Sequence, residues 1–299
     1  MSADGRFAPS PTGPLHLGSL RTALVAWLMA RSQGARFLVR IEDLDPQRSR
    51  AEMVAAQLAD LRALGIDWDG EPVRQSERTA LYRDAVRALA AAGRVYPCFC
   101  TRAEIREAAS APHGQLPDGV YPGTCATLAT AEASERVARG ERHALRLRAE
   151  GEWVEFEDRL RGRVGYVVDD FVLVRSDGVH AYQLSVVVDD AAQGVGEVVR
   201  GADLASSTPR QILLQRLLRL PTPAYAHVPL VLGADGRRLA QRDRSMTIAD
   251  RDEPVESVLA LLAHSIGLAR GRRRVGAATE LLAEFEPARI PATPVTFCG

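Results

Sequence analysis

The sequence predicts an α/β fold: a parallel sheet with alternating helices, interrupted by a small α+β insertion and followed by a short helical C-terminal region. Three observations carry this. Apolar segments of strand length alternate with segments of helical period through residues 1–95, the pattern of β-α-β units. At Tyr96 that pattern breaks into Cys98-Phe99-Cys100 and then short alternating strands. From residue 181 onward, apolar strand-like runs return. The expected division is 1–95 with 181–235 as a split sheet domain, 96–180 as an inserted subdomain, and 236–299 as a loop and C-terminal helices.

At 299 residues, with 46% of them apolar, the chain can bury a substantial core in about two domains. Its 38 basic residues balance 38 acidic ones, so bulk charge makes no case for nucleic acid and any such contact must be local. All 38 are arginine; there is no lysine. The N-terminus lacks a basic-then-apolar signal pattern. The longest early apolar helix carries Arg21 and Arg31 and is too short to span a bilayer, so a cytoplasmic protein without membrane contact is expected. Of four unevenly spaced cysteines, three fall within 98–125, which fits a metal site in a reducing compartment better than disulfides.

Taken in order, the chain begins with Arg6-Phe7-Ala8-Pro9-Ser10-Pro11-Thr12-Gly13-Pro14-Leu15-His16-Leu17-Gly18-Ser19. Phe7-Ala8 is a short apolar strand end, three prolines stiffen the loop, and Gly13 bends it. Leu17, Leu20, Leu24 and Leu28 then share a helical face, with Arg21 off it. Strand, tight loop and helix N-terminus make a place for phosphate, because the first helical N–H groups are unpaired and the dipole there is positive. His16 sits one turn inside that entrance and can donate to a phosphate.

Gly34 ends the helix, and Phe37-Leu38-Val39-Arg40-Ile41 reads as a buried strand. It runs into Glu42-Asp43-Leu44-Asp45-Pro46, carboxylates at the strand end where crevices of parallel sheets open. Glu42 is assigned to a ligand, Asp43 and Asp45 to helix capping. Helices are expected over 49–64, with Met53, Leu58, Leu61 and Leu64 inward and Gly65 as the stop, and over 78–92. Asp67-Trp68-Asp69 turns between them. Thr101-x-x-Glu104 is a capping box for a short helix to about residue 109. A Pro/Gly loop over 112–119 leads to Tyr121 and Cys125.

Cys98, Cys100 and Cys125, brought together by that excursion, suit one Zn²⁺, which takes four ligands and favours sulfur. His113 is the chemically commoner fourth ligand. No nucleophile or base stands nearby, so the site is structural; Cys298 is unrelated. A helix at 130–140 precedes strands at 144–148, 154–157 and 171–174, with a hairpin turn at Asp177-Gly178. Residues 181–190 and 198–204 read as strands returning to the sheet, and Arg200 aims at the same crevice as Glu42. Ser206 or Ser207 caps a helix to about Leu218 with Pro209 in its first turn. Helices at 254–266 and 277–285, an arginine cluster at 270–274 and a ragged end from 291 complete the chain.

The run from Arg6 to Ser19 closely resembles the first motif of class I glutamyl-tRNA synthetases, whose His-x-Gly-x element, here His16, Leu17, Gly18 and Ser19, binds ATP. The resemblance continues to about Ile266 and implies a class I synthetase Rossmann-type sheet. It implies a glutamate site of Arg6, Phe7, Ala8, Pro9, Ser10, Glu42, Tyr182 and Arg200, with Glu42 on the ammonium and both guanidiniums on the side-chain carboxylate. Planar guanidinium forks suit a carboxylate. The ATP site would include Thr12, His16, Gly18, Ser19 and Gln241. The resemblance also points to Tyr121 as the fourth zinc ligand. By position, Arg237 to Ser245 is the second ATP motif: Arg238 stands for its first lysine, Gln241 replaces the second, and Arg242 falls one place late. His16, Ser19, Arg238, Gln241 and Arg242 are thus the expected catalytic set, acting on ATP with Mg²⁺.

Val186 stands where the discriminating synthetase has asparagine, and Leu204 where it has tryptophan. With the chain's end before an anticodon-binding domain, these differences resemble the short paralogues, the glutamyl-queuosine tRNA(Asp) synthetases. The partners this implies are L-glutamate, ATP and the anticodon stem-loop of tRNA(Asp), bound by a monomer, with the 270–274 arginines on stem phosphates.

Overall fold

The computed structural model describes residues 3–109, 120–233, 236–237, 247–271 and 273–297. The first part alternates as expected: β1 (Gly5–Phe7), α1 (Leu17–Ser32), β2 (Phe37–Ile41), α2 (Ala51–Ala63), β3 (Val73–Arg74) and α3 (Thr79–Ala91). The three strands pair in parallel, in the order β1-β2-β3. Asp43 and Asp45 do bind backbone N–H groups, but not those of α2. Asp43 accepts from the N–H and hydroxyl of Ser76, at a 3₁₀ turn over Gln75–Arg78. Asp45 accepts from Gln47 N–H and pairs with Arg175.

Helix α1 is the centre of the main core. Leu17, Leu20, Leu24 and Leu28 are fully buried, as their shared face requires. Arg21, expected off that face, is buried too, because β1, the strand Glu197–Gly201 and the helix Val255–Ser265 all pack against α1. Its guanidinium donates to Pro229 O at 2.6 Å, to Ser265 Oγ at 2.9 Å and to Ser265 O at 3.2 Å.

The middle of the chain holds β4 (Val95–Cys98), α4 (Arg102–Ala109), α5 (Thr130–Ala138), β5 (Ala144–Leu147), β6 (Trp153–Asp158), β7 (Gly162–Val167) and β8 (Val172–Val174). The capping box forms: Thr101 N–H donates to Glu104 Oε2 at 2.6 Å and Glu104 N–H to Thr101 Oγ1 at 3.2 Å. Strands β4, β5 and β8 make an antiparallel sheet beside the cysteines. The β6–β7 hairpin instead joins the next sheet, in the order β7-β6-β10-β9.

That next part contains α6 (Tyr182–Ala192), β9 (Glu197–Gly201), α7 (Thr208–Leu218), β10 (Ala224–Val228), β11 (Val231–Leu232), α8 (Val255–Ser265) and β12 (Val295–Thr296). Here the expectation for 181–190 fails: the run is helix α6, not a strand. Every residue from Leu184 to Asp190 is buried, so no polar stripe marks the helical period, and Val186, Val187 and Val188 mimic a buried strand. Strand β9 ends at Gly201 rather than 204, and a 3₁₀ turn over Ala202–Ser207 follows. Ser207 occupies the α7 N-cap without a capping hydrogen bond, its hydroxyl accepting from Gln183 instead, while Pro209 sits in the first turn.

The 277–285 helix is a 3₁₀ segment, Ala278–Glu284. The end expected to be ragged is anchored through residue 297. Strand β12 pairs with β11, and Ile290 and Phe297 enter the main core. Val295 and Phe297 alternate with polar Thr296, a two-residue period that the prolines of this stretch obscure. Among the described residues, no helix is long and apolar enough to cross a membrane.

Candidate active site

A cavity of about 930 Å³ opens between the β1–α1 loop, the C-terminal ends of β2 and β9, the first turn of α6 and the β10–β11 connection. Arg6, Phe7, Ala8, Pro9 and Ser10 line it from one side. Glu42, Tyr182 and Arg200 line it from three other elements, and His16, Gly18 and Ser19 from the start of α1. Thr12 is not among the lining residues. Leu204 lines the cavity, whereas Val186 packs in the core behind it. Arg237 also contributes to the wall. Arg238, Gln241 and Arg242 lie outside the described residues, as do His113 and Cys298.

His16 is not one turn inside α1 but its N-cap, with its Nδ1 accepting from Ser19 N–H at 3.2 Å. A neutral ring with Nδ1 accepting carries its proton on Nε2, which lies 3.1 Å from Ser19 Oγ. Gly18 has a steric reason: a Cβ there would stand 3.0 Å from two atoms of the His16 ring. An antiparallel backbone bridge joins His16 to Thr247, so residue 247 lies beside the first motif.

Behind the cavity wall lies a buried ionic cluster that the sequence reading missed. Asp190 accepts from Arg6 Nε at 3.2 Å, Arg6 Nη2 at 3.4 Å and Arg40 Nη1 at 2.7 Å. Burial would raise the Asp190 carboxyl, but Arg6 and Arg40 outweigh it and hold the group below the ordinary aspartate range. Glu42 Oε1 stands 3.5 Å from Arg40 Nη2, a charge contact without hydrogen-bond geometry. Burial therefore dominates at Glu42 and pushes its carboxyl above the usual range. The neighbouring Asp189 takes Gln75, Arg78 and the Tyr82 hydroxyl. Arg40 inside an apolar strand and two aspartates ending an apolar run were the available signals.

Arg200 is held by three partners. Its Nη1 donates to the Tyr182 hydroxyl at 3.2 Å, its Nη2 to Thr208 Oγ1 at 2.7 Å, and its Nε to His227 Nε2 at 3.1 Å. On the far side of the His227 ring, Nδ1 lies 2.5 Å from Asp158 Oδ2. Thr208, His227 and Asp158 were not singled out in the sequence.

A second centre sits apart from the cavity. The sulfurs of Cys98, Cys100 and Cys125 all lie within 4.8 Å of one another, the one such cluster of metal-ligating side chains among the described residues. Cys100 and Cys125 are 3.4 Å apart, near the ~3.8 Å sulfur spacing of a tetrahedral thiolate site with ~2.3 Å metal–sulfur bonds. The Tyr121 hydroxyl is 3.4 Å from Cys98 Sγ and 3.7 Å from Cys100 Sγ, and accepts from Cys125 N–H at 2.8 Å. The donor set therefore fits a thiophilic ion. Asp169 fastens this knuckle to helix α7 by accepting from Tyr121 N–H and from Arg210.

The sequence matches the profile of tRNA synthetases class I (E and Q), catalytic domain, over residues 3–289. The chain belongs to the class I tRNA synthetases of the E and Q group. It is 57% identical over 293 residues to the glutamyl-Q tRNA(Asp) synthetase of Nocardia farcinica, covering 97% of this chain and 91% of that one. A protein of the same name from Symbiobacterium thermophilum is 48% identical over 306 residues, covering 97% and 94%. In structure, the chain is similar to the glutamate-tRNA synthetase of Elizabethkingia anophelis, with a TM-score of 0.85, 25% identity, and 99% and 68% coverage. This class I E and Q synthetase is thus a ligase of the aminoacyl-tRNA synthetase type, and the use of ATP comes with the family.

Proposed function

We propose that this chain activates L-glutamate with ATP and transfers it to the queuosine base in the anticodon of tRNA(Asp). The observation that carries the reading is the 57% identity, over nearly the whole chain, to a protein named for that activity. The cavity supports it chemically, with a guanidinium from Arg200 and a carboxylate from Glu42 in one wall system. A zwitterion with an extra carboxylate matches that pairing: ammonium toward Glu42, side-chain carboxylate toward Arg200 and the remaining N–H groups of Arg6.

In the first step the α-carboxylate oxygen of glutamate attacks the α-phosphorus of MgATP. The bond to the β-phosphate oxygen breaks and pyrophosphate leaves. The residues align the partners and stabilise charge rather than form a covalent intermediate. His16, through its Nε2 proton, and the α1 N-terminus would receive phosphate charge, with Arg238, Gln241 and Arg242 approaching from the second motif. In the second step a queuosine hydroxyl attacks the mixed anhydride and AMP leaves. Arginines of 270–274 would grip the anticodon stem, giving a binding constant that falls with salt. We assign one Zn²⁺ to Cys98, Cys100, Cys125 and Tyr121; it would hold the knuckle in shape and take no part in the chemistry. We place the activity in the cytoplasm, in a monomer built from the split sheet domain, the 96–180 insertion and the C-terminal region.

Glutamate-dependent ATP–pyrophosphate exchange tests the activation step. Native protein should exchange with L-glutamate and not with L-glutamine. Arg200→Ala, which leaves the carboxylate without its buried partner, should cost about 2–5 kcal/mol of binding. Equal exchange with both amino acids would overturn the assignment.

A further inference from the structure

Arg200 offers five N–H donors, and its orientation decides which of them face the cavity. Three are taken by Tyr182, Thr208 and His227, leaving two for a ligand. Of these partners, only His227 can change its hydrogen-bonding sign. Arginine cannot accept, so His227 Nε2, facing Arg200 Nε at 3.1 Å, must be the lone-pair nitrogen. The Thr208 hydroxyl is consistent with this: while accepting from Arg200 Nη2 it keeps its own hydrogen, which can point to His227 Nε2, 3.1 Å away. The ring proton must then sit on Nδ1, where Asp158 Oδ2 receives it.

We infer that Asp158 and His227 form a positioning pair that locks the imidazole in its Nδ1–H tautomer and so aims Arg200 into the cavity. The inference rests on the glutamate reading for what Arg200 binds, but not for the tautomer. Neither member lines the cavity, and both side chains are fully buried. Asp158 comes from the end of β6, Arg200 from β9 and His227 from β10 between them, so the pair and the arginine it aims span three neighbouring strands. Asp158 is itself fixed, accepting from the N–H groups of Leu160 and Arg161 at 3.0 Å and of His227 at 3.3 Å. Burial, reinforced by Arg200 and Arg161, lowers the His227 pKa against the pull of Asp158, so the ring stays neutral near pH 7. A protonated Nε2 would confront the Arg200 Nε–H with a second donor.

The test combines a spectrum of the native protein with two substitutions. With nitrogen-15 histidine, the imidazole signal that disappears in His227→Gln should report the neutral Nδ1–H tautomer near neutral pH. An Nε2–H tautomer or an imidazolium would overturn the proposal. In exchange assays, His227→Ala should raise KM for glutamate roughly tenfold or more while KM for ATP stays within about twofold. His227→Gln places an amide oxygen where Nε2 was and should restore most of the loss. An unchanged KM for glutamate, equal rises in both KM values, or no rescue by glutamine would each contradict the pair's role. If His227→Ala does not fold, Asp158→Asn provides the same KM comparison. Should native protein not exchange at all, the substrate reading fails, and the spectrum alone decides whether Nε2 accepts from Arg200.

Discussion

Asp190 and Arg6 form a two-pronged buried ion pair, with Nε to Oδ1 at 3.2 Å and Nη2 to Oδ2 at 3.4 Å. The pair joins the end of α6 to β1, and Arg40 from β2 closes on the same carboxylate. Removing Asp190 takes away the carboxylate that two buried guanidiniums share, leaving Arg6 with Val199 O and Arg40 with Gln193 and Asp189. Asp190→Ala is therefore expected to lose about 3–5 kcal/mol in chemical denaturation. Because the native carboxyl titrates below its unfolded value, its stabilisation is complete above roughly pH 4 and is lost as pH falls through the native pKa. A loss under about 1 kcal/mol would mean that the cluster relaxes without cost.

Glu42 behaves in the opposite sense. Burial raises its carboxyl above the unfolded value, so the native state binds its proton more readily. Its contribution to stability is fullest below the unfolded pKa of about 4.3 and is lost as pH rises through the native one. An ammonium at Glu42 needs the ionised form. Glutamate affinity, measured calorimetrically, should therefore improve as pH rises through that pKa, and Glu42→Gln should weaken binding and remove this dependence. An affinity that is flat with pH in native protein would argue against the contact.

Arg21 makes all three of its hydrogen bonds to uncharged acceptors, and burial alone lowers its pKa to about 10, so it remains charged at neutral pH. It ties α1 to the β10–β11 connection and to the C-terminal end of α8, where the helix dipole favours a cation. Arg21→Ala strands the Pro229 and Ser265 carbonyls and should cost about 3 kcal/mol, seen as a lower urea midpoint at unchanged slope. An unshifted midpoint would show that water replaces the guanidinium.

The cysteine knuckle gives a direct elemental prediction. Purified protein should contain one zinc per chain, and Cys125→Ser should release it. Tyr121→Phe separates the fourth ligand: metal retained there but lost in His113→Ala would assign the position to histidine. A metal-free native protein with all three thiols freely titratable would exclude the site.

The alternation through Ala91 was legible because helices α2 and α3 each keep a polar face and stop at Gly65 and Gly93, whose φ values are +71° in both cases. Helix α6 was not legible, because burial on all sides erased its period. The same burial hid the site's supporting charges. Arg40, Asp189 and Asp190 sit in apolar runs, and only the fold reveals which guanidinium meets which carboxylate. Arg6, Glu42, Tyr182 and Arg200 come from four separate elements, and the structure brings them to one cavity. His227 illustrates the remaining limit: a lone histidine in a strand says nothing until Asp158, 69 residues earlier, is seen on its other side.

The acceptor is the central claim. RNA loops with splayed bases are what proteins read most readily, and a modified base offers hydroxyls that no other nucleotide presents. The decisive measurement is transfer of radiolabelled glutamate to tRNA(Asp), prepared with and without queuosine and with its 3′ diol intact or oxidised by periodate before charging. We predict label only on queuosine-containing tRNA, undiminished by prior oxidation of the 3′ end. Label that requires the 3′ diol and ignores queuosine would contradict the account and identify an ordinary glutamyl-tRNA synthetase core.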